Sequence, residues 1–333
     1  MAMISMLFGI FIGAILFTGC IRLIAPRIGL IAVPVTRSAH VAETPSGGGI
    51  AIAALYLLFS YAFFKSGIIP GNEYLAIFGA LLIAFMGLVD DVSSLSLHHR
   101  LPVQFFAAGW AIYWLGGVPD IDFSLFKITT PWLLSIMGVF ALVWLVNLYN
   151  FMDGIDAIAG TQLIFVNVLS LMLVVNNENQ VIALLSAVLA AATAGFLVWN
   201  WPPAKIFMGD TGSCFIGYSL GVLALLSMHH GMMSVWTWFI LLGVFVVDTS
   251  VTLCSRVVQG MRWQEGHASH AYQNATRDFK SHKKVTLTVL AINVFWLAPW
   301  AWLSVKYLEI GIYLCVMALC PLVVLANKFR AGV

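Results

Sequence analysis

Charged residues are scarce in this chain of 333 residues, since Asp, Glu, Lys and Arg together make up only 9% of it. A soluble domain carries about 25% charged residues, so the composition excludes an ordinary soluble fold. Hydrophobic residues account for 61% of the sequence, and the mean hydropathy is +0.97. A chain of this composition can bury its apolar surface only in lipid, which indicates an integral membrane protein.

Cysteine and net charge give no sign of a structural metal site or of nucleic-acid binding. The five cysteines lie in apolar stretches without CxxC or metal-ligand spacing, so we interpret them as packing residues. The net charge of +2 is too small to indicate nucleic acid. His267 and His270 are spaced like a zinc ligand pair, but no cysteine or third histidine follows at zinc spacing.

Apolar runs of roughly 17–25 residues recur along the chain, and each is long enough to cross about 30 Å of hydrocarbon. They predict an all-α integral membrane protein with about eleven transmembrane helices, or ten if the stretch 157–199 is divided differently. We see no soluble domain or internal repeat, so residues 1–333 form one polytopic domain. The predicted spans are 3–24, 48–64, 73–89, 102–118, 131–149, 157–176, 180–199, 212–229, 235–256, 285–304 and 308–327.

Basic residues are distributed unevenly between the two sides of this predicted bundle. Thirteen of the sixteen Lys and Arg residues follow odd-numbered spans or lie in the C-terminal tail, whereas Lys65, Lys127 and Lys306 lie on the opposite side. The positive-inside rule therefore predicts a periplasmic N-terminus and a cytoplasmic C-terminus. The predicted cytoplasmic loops are 25–47, 90–101, 150–156, 200–211 and 257–284.

Aspartates cluster at the cytoplasmic ends of the predicted spans. Ionisable residues at membrane depth are costly, and by default they indicate a functional site. Helix capping or a solvated loop end explains any single one of them equally well. Several aspartates from separate junctions on one face favour a site: Asp90 and Asp91 after the third span, Asp153 and Asp156 after the fifth, Asp210 before the eighth and Asp248 in the ninth.

Clustered carboxylates repel one another and need a cation. Mg²⁺ suits this role because it takes oxygen ligands, usually one or two carboxylates with substrate phosphates, and Mn²⁺ is an alternative. Asn147 and Asn150 precede Asp153 by six and three residues, so a continuous helix would place all three on one face. Acids for a metal and bases for phosphate predict a phosphoryl-transfer site, although the positive-inside rule also explains each base. The bases are Arg37, Arg100, Lys205, Arg262, His267 and His270.

Three consecutive glycines, Gly47 to Gly49, follow Pro45 and Ser46 at the start of the second span. Glycine lets a backbone approach a phosphate closely, which favours a binding loop. A flexible start of the span explains the same residues. Both interpretations stay open on the sequence alone.

Five blocks of sequence, in this order, resemble the polyprenyl-phosphate N-acetylhexosamine-1-phosphate transferases, the superfamily that includes phospho-MurNAc-pentapeptide translocase. The resemblance extends from about Arg37 to His270, and the third and fourth blocks are the most specific. The blocks are Gly87-Leu-Val-Asp-Asp91, Arg100-Leu-Pro-Val-Gln104, Asn147-Leu-Tyr-Asn-Phe-Met-Asp-Gly-Ile-Asp156, Asn200-Trp-Pro-Pro-Ala-Lys-Ile-Phe-Met-Gly-Asp-Thr-Gly-Ser213 and the segment His267–Gln273.

The resemblance implies a role for each matching residue. Asp210 is expected to bind Mg²⁺, with Asn150 or Asp90 as a second ligand. The catalytic acids implied are Asp90 and Asp91, near the lipid phosphate, and Asp153. The residues implied in binding the uracil nucleotide are Asn200, Phe207 and Asp156. The residues implied in binding phosphate or sugar are Arg37, Arg100, His267 and His270, with His40 as a further basic position.

The reaction implied is transfer of a sugar-1-phosphate from a UDP-N-acetylhexosamine to undecaprenyl phosphate, releasing UMP, at the cytoplasmic face of a bacterial inner membrane. A homodimer is compatible with this activity. The superfamily commonly has adjacent histidines in the last block, whereas this chain has His267-Ala-Ser-His270. This variant resembles the branch that initiates O-antigen chains, which implies a 6-deoxy donor such as N-acetylfucosamine or N-acetylquinovosamine.

A transporter of nucleotide sugars is the alternative from another functional class. Alternating access would predict polar residues at mid-span and Gly- or Pro-broken helices paired between two halves. The aspartates instead crowd one face, which favours an enzyme that works from one side of the membrane.

Overall fold

The computed structural model describes residues 2–32, 43–175, 179–261 and 268–333. Within these residues the chain is mostly helical. The α-helices are α1 (Ala2–Ile24), α2 (Gly49–Lys65), α3 (Gly71–Phe78), α4 (Ala80–Ser93), α5 (Leu97–Leu115), α6 (Pro131–Met152), α7 (Ile158–Val174), α8 (Val181–Asn200), α9 (Gly209–His229), α10 (Val235–Leu241), α11 (Gly243–Val258), α12 (Ala271–Phe279), α13 (His282–Ile292), α14 (Ala298–Lys306) and α15 (Gly311–Lys328).

The helices have the length and composition of membrane spans, which confirms the predicted fold class. In the described part of the chain, seven helical segments are long and apolar enough to cross a membrane, and the pair α10 and α11 makes an eighth. Helices α2 and α7 are apolar but shorter, with 17 residues each. The number of eleven spans and the orientation of the termini stay predictions.

The ninth predicted span, 235–256, is broken rather than straight. Helices α10 and α11 meet at an angle of 84°. Leu242 between them leaves the helical region, with φ −95° and ψ 9°. Gly243 then packs against Leu297 and Leu319, where a Cβ would lie 2.7 Å from the Leu319 side chain. The bend therefore depends on contacts with distant helices, which periodicity in this segment does not reveal.

Helix α9 lies at the centre of the bundle and carries Asp210 in its first turn. Of its most apolar 18-residue window, 89% is buried inside the protein. Glycines permit this close packing. A Cβ at Gly217 would lie 2.6 Å from the carbonyl oxygen of Leu145 in α6, and a Cβ at Gly87 in α4 would lie 2.5 Å from the carbonyl oxygen of Asp210. Helix α9 is thus held in fixed register with α4 and α6.

Short hairpins lie at opposite ends of the bundle. Strands β1 (Ile31–Ala32) and β2 (Thr44–Pro45) pair antiparallel beside the start of α9, because the amide of Phe207 donates to the carbonyl of Pro45 at 2.8 Å. Strands β3 (Ile121–Asp122) and β4 (Lys127–Ile128) pair at the other end. The loop predicted over 257–284 contains helix α12, which the sequence analysis did not anticipate.

Candidate active site

The structure brings the predicted cytoplasmic loops together at the end of the bundle where α9 begins. The 201–208 segment contacts the chain before α2, where the amides of Gly48 and Gly49 donate to the carbonyls of Phe207 and Met208 at 2.9 Å. A Cβ at Gly49 would collide with the backbone of Gly212. The glycine run therefore serves close packing between α2 and α9. Since the amides of Gly48 and Gly49 already have partners, they are not available to a phosphate in this arrangement.

Asp91, at the end of α4, caps helix α9 from another part of the chain. Its carboxylate accepts hydrogen bonds from the amide of Asp210 at 2.7 Å, from the amide of Thr211 at 3.0 Å and from the Thr211 hydroxyl at 2.7 Å. The first amides of a helix have no partner within the helix, and a carboxylate there is favoured by the helix dipole. Asp91 thus fixes the turn that carries Asp210.

Arg100 lies between the other two aspartates of this site. Its guanidinium is 2.8 Å from the Asp90 carboxylate and 3.7 Å from that of Asp210. It also donates to the side-chain oxygen of Asn150 at 3.3 Å. Asn150 in turn donates to Asp210 at 2.7 Å and to the Ser213 hydroxyl at 3.0 Å. Four of the predicted site residues are therefore in direct contact.

Helix α6 ends at Met152, so Asp153 does not continue its face as the sequence analysis predicted. Asp153 has φ −88° and ψ 49° and stands just beyond the helix. Asn147 is also directed away from the site, because its side chain is buried and pairs with Gln104 at 2.7 Å. Of the three residues predicted to share one helix face, only Asn150 is directed into the site from α6, because the helix ends before Asp153.

The Asp153 carboxyl lies in the turn between α6 and α7. Burial raises the pKa of this carboxyl well above its usual range, and the carboxylates of Asp210 and Asp91 raise it further. Asp153 itself is half-buried, and an acid with a raised pKa beside two carboxylates is typical of a functional site.

Two residues assigned to nucleotide binding by resemblance hold this turn in place. The Asp156 carboxylate accepts from the amide of Ala204 at 3.1 Å and lies 3.2 Å from the His282 ring. Asn200 is buried, accepts from the amide of Ala157 at 2.9 Å and donates to the carbonyl of Ile206 at 2.9 Å. Both side chains tie the 153–157 turn to the segment that leads into α9.

The sequence analysis did not identify His282 or Thr211. His282 begins helix α13, and its contact with Asp156 joins residues 126 positions apart in the chain. Thr211 belongs to the Gly-Asp-Thr-Gly-Ser block but has no local signal for a bond to Asp91. Both roles arise from tertiary contacts, which spacing alone does not reveal.

Phe207 lies in the segment leading into α9, three residues before Asp210 in the sequence. Its side chain is partly exposed. Its backbone amide and carbonyl are both bonded to the segment before α2. The ring is therefore carried on a firmly held backbone, as a stacking surface would require.

The histidine segment begins helix α12 and is anchored to α11. Asp248 accepts from the amides of Ala271 and Tyr272 at 2.9 Å each, and the His270 ring lies 3.1 Å from its carboxylate. The Tyr272 hydroxyl donates to the carbonyl of Phe151 at 2.9 Å, next to the Asp153 turn. His270 is buried in this network. His267 lies outside the described residues, as do Arg37 and His40.

The donor set at the start of α9 fits a hard divalent cation. Asp210 has a side chain 34% exposed, and its neighbours Asp90 and Asn150 also offer oxygen atoms. Among the residues that the structure describes, no three or more His, Cys, Asp or Glu side chains are grouped so that they could hold a metal ion by themselves. Mg²⁺ typically takes only one or two protein carboxylates and completes its shell with water and phosphate.

Comparisons with known proteins identify a matching family and several relatives. Residues 74–228 match the family described as glycosyl transferase family 4. A probable undecaprenyl-phosphate N-acetylglucosaminyl 1-phosphate transferase of Bacillus subtilis is 30% identical over 288 residues, which cover 84% of this chain and 78% of that protein. A phospho-N-acetylmuramoyl-pentapeptide-transferase of a Synechococcus species is 28% identical over 84% of this chain and 80% of its own length.

A third relative is the decaprenyl-phosphate N-acetylglucosaminephosphotransferase of Mycolicibacterium smegmatis. It is 34% identical over 230 residues, which cover 61% of this chain and 55% of that protein. The family match includes the Asp90, Arg100, Asn150 and Asp210 cluster, all of which fall within residues 74–228. The chain therefore belongs to glycosyl transferase family 4, in the superfamily of phospho-N-acetylmuramoyl-pentapeptide transferase, and is a multi-spanning membrane phosphotransferase.

Proposed function

We propose that this enzyme transfers an N-acetylhexosamine-1-phosphate from its UDP derivative to undecaprenyl phosphate, releasing UMP and beginning a lipid-linked glycan such as O-antigen. The single observation that supports this most strongly is the contact between Arg100, Asp90, Asn150 and Asp210 at the start of α9. The printed names of the relatives add the polyprenyl phosphate acceptor and the N-acetylhexosamine donor.

In the proposed reaction, an oxygen of the lipid phosphate attacks the phosphorus that bears the sugar. A new P–O bond forms to the lipid, the bond to the bridging oxygen breaks, and UMP leaves with that oxygen. Little general-base help is needed, because a phosphate monoester is already largely ionised near pH 7. When bound, Mg²⁺ would offset the negative charge that develops on the pyrophosphate.

Residues of this chain would position the cation, the phosphates and the uracil of the donor. The Asp210 carboxylate would hold the cation, and Asn150, whose amide donates to it at 2.7 Å, orients that carboxylate. The Asn150 side-chain oxygen, which accepts from Arg100 at 3.3 Å, would be the second ligand once that bond is released. The Arg100 guanidinium can bind two phosphate oxygens at once through bidentate hydrogen bonds. Phe207 offers a partly exposed ring to the uracil. The turn that bears Asp153 is fixed by Asn200, which leaves little reorganisation for the bound state.

An apolar groove suits the polyprenyl tail of the acceptor. It has a volume of about 230 Å³ and lies between α6, α9, α10 and α11. Its wall extends from Ile121 of β3, at the opposite end of the bundle, to Leu148 of α6, which is two residues from Asn150 on the same helix. A lipid chain lying there would bring its phosphate to the end of α6 where the aspartates cluster.

The proposed active face is cytoplasmic and the proposed membrane is the bacterial inner membrane. Thirteen of the sixteen Lys and Arg residues are predicted on the side of Asp210, which supports this orientation. The proposed catalytic surface is formed by the loops 25–47, 90–101, 150–156, 200–211 and 257–284 around a single transmembrane domain.

The test is a donor panel with purified protein in detergent. Undecaprenyl phosphate and Mg²⁺ are incubated with UDP-N-acetylglucosamine, UDP-N-acetylgalactosamine and 6-deoxy UDP-N-acetylhexosamines, and the lipid product is identified by mass. A lipid pyrophosphate sugar with stoichiometric UMP is expected for at least one donor. Production of UDP, or absence of both lipid product and UMP with every donor, would contradict the proposal.

The Asp210→Asn variant tests the site directly. Loss of one preorganised electrostatic contact costs on the order of a hundredfold or more in rate, so transfer should fall at least that far at saturating Mg²⁺. Asp278→Asn is the matched control, since Asp278 pairs with Arg330 on an exposed surface. The assigned role of Asp210 fails if the two variants have similar activity and similar thermal unfolding midpoints.

A further inference from the structure

The position of Arg100 suggests a role that goes beyond binding phosphate. Its guanidinium contacts Asp90 at 2.8 Å, Asn150 at 3.3 Å and Asp210 at 3.7 Å. These are the same side chains that offer oxygen atoms to a divalent cation. The Arg100 charge therefore already lies at the centre of the metal-binding donor set.

The charge balance requires such a cation. Asp90 and Asp91 of α4 lie beside Asp210 in the first turn of α9, and the charge of Asp91 is offset by the amides that begin α9. Among the residues that the structure describes, Arg100 is the only Lys or Arg within 4.0 Å of the Asp90 or Asp210 carboxylate. Two neighbouring carboxylates without a counter-charge would repel each other strongly in this partly buried site.

Arg100 is also free to change partners without a change in the fold. It lies in the first turn of α5, and only its long side chain reaches the aspartates. The Arg100 side chain is 14% exposed and that of Asp210 is 34% exposed, so the pair borders the open side of the site. Phosphate competes strongly with these carboxylates for Arg100, because the planar guanidinium binds two phosphate oxygens at once through bidentate hydrogen bonds.

We propose that Arg100 is a resident counter-cation, which holds the carboxylates of Asp90 and Asp210 in the substrate-free enzyme and competes with Mg²⁺ until the donor's pyrophosphate draws its guanidinium away. This inference rests on the proposed function for the identity of the donor. Its consequence is coupling: Mg²⁺ and the nucleotide sugar each bind weakly alone and strengthen one another by the same factor. The enzyme would then assemble its metal site only when substrate is present.

The experiment is calorimetric titration of the purified full-length protein, without acceptor lipid, so that no turnover occurs. MgCl₂ is titrated alone and in the presence of UDP-N-acetylglucosamine. For the wild type, the donor is expected to tighten Mg²⁺ binding by about tenfold or more, a coupling within the usual allosteric range. For Arg100→Gln, Mg²⁺ alone should bind about tenfold more tightly than to the wild type, and the donor more weakly.

The matched control is Arg330→Gln, which removes an arginine that lies 2.9 Å from the exposed Asp278 carboxylate. It should leave Mg²⁺ affinity unchanged. The proposal is overturned if Arg100→Gln binds Mg²⁺ no more tightly than the wild type. It is also overturned if Mg²⁺ affinity of the wild type is the same with and without donor, a measurement that needs no variant. Absence of lipid product in the donor panel, with tighter Mg²⁺ binding by Arg100→Gln, would instead reject the proposed function alone.

Discussion

Thr211 directs both of its hydrogen-bond donors, the backbone amide and the hydroxyl, to one oxygen of Asp91, at 3.0 Å and 2.7 Å. The two residues are 120 positions apart in sequence. Their contact joins the end of α4 to the start of α9, and it fixes the residue between Gly209 and Thr211, which is Asp210.

Thr211→Val should remove the hydroxyl bond to Asp91 and leave the two backbone hydrogen bonds to Asp91 in place. A hydrogen bond to a charged group contributes about 1.5–3 kcal/mol, so the free energy of unfolding should fall by roughly that amount. Thr211→Ser keeps the hydroxyl and should stay close to the wild type. Denaturant or thermal unfolding in detergent measures the difference. Equal stabilities of the Val and Ser variants would show that the hydroxyl bond contributes nothing.

Asp153→Asn should stabilise the substrate-free protein at high pH while impairing catalysis. Because the folded-state pKa of Asp153 is raised, the folded protein retains a proton that the unfolded chain releases above about pH 4. The stabilising contribution is complete below the unfolded pKa and is lost as pH rises through the folded pKa. The variant should therefore unfold at a higher temperature than the wild type at pH 8, and at a similar temperature near pH 4.5.

This comparison is made in EDTA and without donor, so that neither cation nor nucleotide alters the charge around Asp153. Asp278→Asn, on an exposed surface, serves as the control and should shift neither curve. A lower unfolding midpoint for Asp153→Asn at pH 8 would show that the Asp153 carboxylate is stabilised, rather than opposed, by its surroundings.

Phe207→Ala should weaken nucleotide binding more than chemistry. Stacking of a base on an aromatic side chain is worth about 1–3 kcal/mol, so KM for the UDP-sugar should rise about tenfold with a smaller change in kcat. Phe295→Ala is the control, since Phe295 is 80% exposed on a membrane-spanning segment and should leave KM unchanged. An unaltered KM for Phe207→Ala would indicate that the ring only packs at the membrane edge.

The position of the histidine before His270 should influence donor choice. His270 itself must be kept, because its ring contacts Asp248 at the start of α12. The double variant His267→Ala, Ala268→His moves the histidine one position toward the adjacent arrangement common in the superfamily. A site that hydrogen-bonds a substrate group discriminates sharply, so the ratio of kcat/KM between UDP-N-acetylglucosamine and a 6-deoxy donor should change about tenfold.

If kcat/KM falls by a similar factor with every donor, the segment binds the pyrophosphate and does not select the sugar. The pyrophosphate is common to all donors, and a residue that binds it lowers each kcat/KM by a similar factor. The outcome is read from the ratio between donors, which does not depend on the amount of active enzyme.

Cysteine labelling should establish which end of the bundle faces the cytoplasm. The five native cysteines are free and are first replaced. Leu125→Cys, between β3 and β4, is placed at an 85% exposed position, and Lys283→Cys lies at the start of α13 near the site. An impermeant thiol reagent should label intact cells at position 125 and not at 283. The reverse pattern would invert the predicted orientation.

Hydropathy was sufficient to locate the helices, because the length needed to cross lipid is a local requirement. Each of the eleven predicted apolar segments contains a helix in the structure. Alternation of the spans then brings their ends together, which explains why Asp90, Arg100, Asn150 and Asp210 meet as expected. The bend at Leu242 and helix α12 were missed, because they depend on packing against other helices and on the Asp248 cap.

The roles of individual aspartates were harder to predict than their proximity. Asp90 and Asp91 are adjacent in sequence, yet one pairs with Arg100 and the other caps α9. Asp156 and Asn200 resemble nucleotide-binding positions, but each also bonds to backbone of a neighbouring segment. The sequence gives the residue type, whereas the direction of each side chain depends on its position within its helix or turn and on the segment packed against it.

The glycine contacts around α9 have a consequence for saturation mutagenesis. At Gly49, Gly87 and Gly217 even the methyl group of alanine would overlap backbone of a facing segment. A fitness map of this protein should therefore show these three columns as intolerant as that of Asp210, although none of the three carries a functional group. Loss of fitness at these glycines would reflect the short distance between two main chains. The amount of folded protein must therefore be measured separately before a loss of fitness near the site is attributed to catalysis.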